Sequence, residues 1–316
     1  MKMRIFFATI LLATGVVTAP TRSVAQSTRQ PAEGRILDLK CEARLIQKPK
    51  ESEVALHSPR DIGRDLRAGN RIRCLGAGSM QVLIPEGPKK LTADQGWLEI
   101  QPVPLNSPFP DIARALERYG IPGASRGTPH NLRILWPSEN SVVLPEHFAI
   151  RWRPIAQKIE LAILSEAKDV TLIGPTEVDG EAGSLQSDAI VSALAAYKAK
   201  PGSQGLVLTW TLANSSNWED IPFSLLRGKQ EQELNAQLDF WQSHTEGLAL
   251  LLGRGYTFMR YKLFEEAAEE YDSALNTAPE SPYLLKEAID ANSLAGRASR
   301  VKDLQARQAS LTETPN

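Results

Sequence analysis

The chain has 316 residues, room for two or three domains at about 100–200 residues each. Its 42% hydrophobic and 23% charged residues exclude wholesale disorder, and 36 basic against 37 acidic groups exclude a polycation built for nucleic acid. Two cysteines and four histidines exclude a disulfide-dense miniprotein and a Cys-rich zinc module.

Residues 1–25 read as a signal peptide. Lys2 and Arg4 precede an apolar run from Ile5 to Ala19, Pro20 breaks it, and Ser23-Val24-Ala25 offers a small-x-small cleavage site. The 15 apolar residues fall short of the roughly 20 that span a bilayer, so cleavage is expected rather than anchoring. No cysteine stands in lipobox position. The expected location is periplasmic or secreted, with no membrane span after cleavage.

Residues 26–105 read as an all-β domain. Leu37, Leu39, Cys41, Ala43 and Leu45 alternate with polar residues, the period of a half-buried strand, and Ile72 and Cys74 share a face opposite Arg71 and Arg73. In an oxidising compartment, Cys41 and Cys74 are expected to pair, which the chain-entropy model values at about 3–4 kcal/mol; two separate buried thiols are the alternative. The segment carries 13 basic and 10 acidic groups, against 11 and 13 in 106–228 and 9 and 14 in 229–316. Arg60, Arg64, Arg67, Arg71 and Arg73 form a basic stretch, a candidate anion surface, but Asp61 and Asp65 interleave it, which predicts a solvated, salt-bridged face. The run Leu66-Arg67-Ala68-Gly69-Asn70-Arg71-Ile72, with Gly76-Ala77-Gly78-Ser79 and a strand over Met80–Ile84, resembles the FecR-like periplasmic β domain. That resemblance implies a structural or signal-relaying module.

Residues 106–130 carry prolines and glycines in a connector composition, with Ile112, Leu116 and Tyr119 at helical spacing. Residues 131–228 return to alternation: Phe148, Ile150 and Trp152; Ile159, Leu161 and Ile163; Leu206, Leu208, Trp210 and Leu212; then Ile221 to Leu226. Trp136-Pro137, the Phe148–Trp152 strand and Pro222-Phe223-Ser224-Leu225-Leu226 resemble the immunoglobulin/fibronectin-like domains of bacterial envelope proteins, which implies a small sandwich. Ile190, Leu194 and Tyr197 predict a helix inserted among the strands.

Residues 229–316 switch to a period of 3.6. Gly255, Phe258, Phe264, Ala267, Tyr271, Ala274, Leu275 and Pro279 stand at the spacings of a tetratricopeptide repeat, with a decaying second copy from Pro282 through Ala291 and Gly296. Arg254 departs from the pattern, where an apolar residue is usual. One repeat cannot bury its own faces, so the helix at 229–246 and the degraded copy are expected to cap it. The resemblance implies a concave face for a partner, with Leu252, Tyr256, Met259 and Arg260 of the leading helix as groove residues. The acidic run Glu265, Glu266, Glu269, Glu270 and Asp272 is expected to be a solvated outer face.

No reaction centre emerges. Gly76-Ala77-Gly78 lacks the third glycine of a dinucleotide loop, no nucleophile elbow or phosphate loop exists, and His57, His130, His147 and His244 are scattered. No catalytic, cofactor or metal residue is expected. The fold class is multidomain α+β: an N-terminal all-β domain, an Ig-like β-sandwich with an inserted helix, and C-terminal TPR-like α-hairpins. The expected function is a non-catalytic envelope scaffold that binds a protein partner and no nucleic acid. Two alternatives stand beside it: a FecR-like sensing or signal-relay module, and a carbohydrate-binding protein or hydrolase with a cleft lined by Trp97, Trp136 or Trp218.

Overall fold

A computed structural model describes residues 33–49, 51–102, 133–200, 202 and 205–313. The signal segment and the connector lie outside the described residues. The first part holds β1 (Gly34–Leu39), β2 (Glu42–Gln47), β3 (Ser52–Leu56), β4 (Asp65–Leu66), β5 (Arg71–Leu75), β6 (Met80–Ile84), β7 (Gly87–Leu91) and β8 (Leu98–Glu99). They form two antiparallel four-stranded sheets, β4-β1-β6-β7 and β3-β2-β5-β8. Ile36, Leu39, Leu45, Ile72, Met80 and Val82 are buried in their core.

One expected strand becomes two. The alternation from Leu37 to Leu45 breaks at Lys40-Cys41, where the chain leaves the first sheet and enters the second. Both halves keep their apolar residues inward, so the period survives a corner that it does not reveal. Cys41 sits at that corner, half-buried, and is joined to Cys74 of β5 by a disulfide across a sequence separation of 33.

The middle part contains β9 (Ile134–Trp136), β10 (Ser141–Val143), β11 (Ile150–Trp152), β12 (Ile159–Ser165), β13 (Thr171–Val178), β14 (Ser184–Leu185), α1 (Asp188–Lys198), β15 (Leu206–Leu212) and β16 (Glu219–Leu225). The sheets are β10-β16-β15-β12-β13, in which β10 runs parallel to β16, and β14-β11-β9. α1 starts where the Ser187 hydroxyl accepts a hydrogen bond from the Ala189 N–H at 3.2 Å. It buries Ile190, Leu194 and Tyr197 and packs on β13.

The last part is helical: α2 (Gly228–His244), α3 (Gly247–Arg260), α4 (Phe264–Thr277), α5 (Pro282–Leu294) and α6 (Ala298–Glu313). Turns of two to four residues join them, and each packs on the next in sequence. Small residues permit the close approach. Ala267, Ala268, Ala274 and Ala288 are all fully buried, and a Cβ on Gly253 of α3 would lie 2.2 Å from the Trp241 indole of α2. Arg254, out of place by repeat pattern, pairs with Glu270 of α4 at 2.8 Å. Among the described residues, no helix is long and apolar enough to cross a membrane.

Candidate functional site

The four residues expected to line a partner groove lie on α3, yet three are closed off. Leu252, Tyr256 and Met259 are buried, and Arg260 is half-buried. α3 packs against β1, so the face read as open is covered by the chain's own first strand. The cause lies in β1. Neighbouring side chains alternate between its two sides, and the register shift against β6 falls beyond Arg35, between Ile36 and Asp38. Ile36 stays in the sheet core, while Arg35 reaches the helices.

Arg35 is 4% exposed, and a buried guanidinium persists only where acceptors surround it. Its Nε donates to Asp65 of β4 at 2.7 Å. Its Nη1 donates to Glu287 of α5 at 2.9 Å and to the Tyr256 hydroxyl. The guanidinium carbon also stands 4.8 Å from the centre of the Tyr256 ring, within cation–π range. Burial opposes the charge, but Tyr256, Glu287 and Asp65 outweigh it and push the Arg35 pKa up. Burial likewise pushes the phenols of Tyr256 and Tyr271 well up, so both remain hydrogen-bond donors at neutral pH. Two atoms near this group have no partner: Glu287 Oε2 and the Tyr271 hydroxyl.

The same joint extends along α5. The Ser281 hydroxyl caps the helix by accepting from the Leu284 N–H at 3.2 Å, and it donates to the Ile62 carbonyl at 2.5 Å. One hydroxyl thus closes a helix end and ties it to the loop before β4.

A second buried joint links the middle strands to the helices, and it overturns the reading of the acidic run at Glu265 and Glu266, while Glu269 is exposed as expected. Glu265 and Glu266 are 5% and 6% exposed, not solvated. Glu265 accepts two bonds from Arg151 of β11, both at 2.7 Å, and also bonds Arg297 before α6. Burial pushes the Glu265 carboxyl up, but these two arginines outweigh it and hold its pKa below the ordinary value. Arg151 additionally donates to the Ala295 carbonyl at 3.0 Å. Gly296 fits tightly here: its φ is +70° and a Cβ would lie 2.8 Å from the Leu135 carbonyl. Trp136 packs edge-on against Phe264 at 6.1 Å. Beside this joint, burial pushes the Glu266 carboxyl up to about 7, helped by the charges of Glu265, Glu269 and Glu146. Farther along α4, Asp272 pairs with Arg300 at 2.9 Å.

The remaining sequence candidates separate. Arg64 pairs with Asp61 at 2.6 Å, but Asp61 is buried, so this pair is not on a solvated face, and Asp65 turns to Arg35. Arg71 and Arg73 lie over the Trp97 ring at 5.9 and 4.5 Å. Trp136 is 1% exposed, and Trp218 is 42% exposed in the connection between β15 and β16. A depression of about 400 Å³ lies at the β7 and β8 edges, lined by Ile84, Pro88 and Leu98 with Glu86, Lys89 and Glu99. Among the described residues, no group of three or more potential ligands could hold a metal ion.

No family model matches the chain, and no curated protein matches it. The site rests on its own chemistry. Sequence reading missed Arg35 and Glu287, although a signal existed for each. Arg35 is a charge inside a run that is otherwise apolar on its buried side, and Glu287, flanked by Lys286 and Ala288, shares its helix face with Leu284 and Ala291 at spacings of three and four.

Proposed function

We propose that the chain is an exported, non-catalytic scaffold of the bacterial envelope that engages a protein partner through its C-terminal helices. In this reading the helices are tetratricopeptide-like, the middle strands Ig-like and the first strands FecR-like, and the mature protein is periplasmic or secreted. The observation that carries it is the Arg35 joint. The α3–α5 face holds a foreign element, a β-strand from elsewhere in the chain, by a buried arginine, a carboxylate and aromatic rings. Such anchors are the ones that dominate recognition between proteins. The alanine-rich hairpins behind that face, with Ala267 and Ala274 fully buried, suit a stacked repeat that presents one side to a ligand. A photo-crosslinking residue in place of Arg260, in cells that express the full chain, should yield a discrete adduct with another envelope protein. Adducts within this chain alone, or none, would refute the reading.

A further inference from the structure

The carboxylate of Glu287 is under-used. Oε1 accepts from Arg35 at 2.9 Å, while Oε2 is buried and has no partner. A guanidinium ordinarily meets a carboxylate through two parallel bonds, and an orphaned buried carboxylate oxygen is costly. Arg35 does not deliver the second bond because its Nε and Nη2 side is turned to Asp65, at 2.7 and 2.5 Å. Glu287 is itself 5% exposed, Tyr256 5% and Tyr271 0%, so the pocket is a desolvated polar site with aromatic walls from α3 and α4. The Tyr271 hydroxyl is also buried without a partner, a second sign that Arg35 fills the pocket imperfectly.

We propose that the face shared by α3, α4 and α5 is an arginine-recognition site, filled in cis by Arg35, and that an arginine of a protein partner takes its place by binding both oxygens of Glu287. This deepens the partner reading above and rests on it. The helices discriminate guanidinium from ammonium, because a fork matches the carboxylate and stacks on Tyr256, whereas a point charge does neither. The internal ligand keeps the site shut and its charge neutralised until a better-matched arginine arrives. Arg35 is then an autoinhibitory side chain, and β1 the strand that delivers it.

The test empties the pocket in the full chain and refills it chemically. Arg35→Ala should lower the thermal midpoint, and millimolar propylguanidinium should restore it by about 2–4 °C, the shift that roughly 1 kcal/mol of binding produces. Butylammonium should not restore it, the wild type should not respond to either additive, and Arg35→Ala/Glu287→Gln should lose the response. If Arg35→Ala does not fold unaided, propylguanidinium must recover its helical far-ultraviolet signal. Equal responses to the two additives, a response that survives Glu287→Gln, or no response at all overturns the site. The Arg260 crosslink reports separately on the partner: an adduct without guanidinium rescue removes the arginine pocket alone, and rescue without an adduct removes the partner alone.

Discussion

Glu265 joins two parts of the chain, and its removal gives the most direct measure of that joint. Glu265→Gln keeps the size of the side chain and deletes its charge. Arg297 would retain Glu269 at 3.2 Å and Asp272 at 3.8 Å, whereas Arg151 would be left with the Ala295 carbonyl at 3.0 Å. Breaking a buried ion pair from one side costs about 3–5 kcal/mol, because the other charge stays desolvated. Both arginine side chains are 20% exposed, which lets water reach them and places the expected loss near about 3 kcal/mol. Urea unfolding followed by tryptophan fluorescence reads the joint, since Trp136 packs against Phe264 beside it. Arg151→Met alone should also destabilise, and the double variant should lose less than the sum of the two, with a coupling of about 2 kcal/mol. A Glu265→Gln protein within about 0.5 kcal/mol of wild type, the range of an ordinary surface change, would refute the reasoning.

Glu266 predicts a pH dependence of definite sign. Its folded value of about 7 lies above the ordinary 4.5, so between those values the folded chain holds a proton that the unfolded chain has released. The stability this contributes is complete below about pH 4.5 and is lost as the pH rises to about 7, a loss on the order of 3 kcal/mol. Glu266→Gln should therefore be more stable than wild type above neutrality, and parallel stability–pH curves for the two proteins would contradict the assignment. Gly253→Ala would place a methyl 2.2 Å from a Trp241 ring that is 2% exposed and donates to the Thr257 hydroxyl at 3.0 Å. Overpacking there should cost about 1–3 kcal/mol by denaturant titration, and an unchanged midpoint would show that α2 and α3 can separate freely. Reducing the Cys41–Cys74 bond, which spans 33 residues, should lower the urea midpoint by the equivalent of about 3–4 kcal/mol. An unmoved midpoint with both thiols titratable would show that the crosslink carries no stability.

Much of the architecture was legible because it depends on period. The helices from Gly228 to Glu313 follow apolar spacing, and β12, β15 and β16 follow alternation. Strand β13 was not legible: as an edge strand with Thr171, Gly174, Pro175, Thr176 and Glu177 exposed, it lacks the apolar alternation that announces a buried partner. The corner at Lys40-Cys41 was invisible because turning from one sheet to another leaves inward residues inward. The groove residues on α3 were legible as a face, but not as a covered one.

The sequence alone determined the helices and most of the strands, which side of each is apolar, and that both cysteines fall within the first β part. Those properties are local, set by side-chain size, branching and spacing along a few turns. Only the tertiary structure decided what the polar residues do. Glu265 and Arg151 lie 114 positions apart, and Arg35 and Glu287 lie 252 apart. A charge on a helix surface and a charge buried in a joint look the same in sequence, since what separates them is desolvation by distant chain. That is how two carboxylates of an acidic run expected in water, Glu265 and Glu266, came to be buried, and how a helix face expected to be open came to meet the protein's own Arg35.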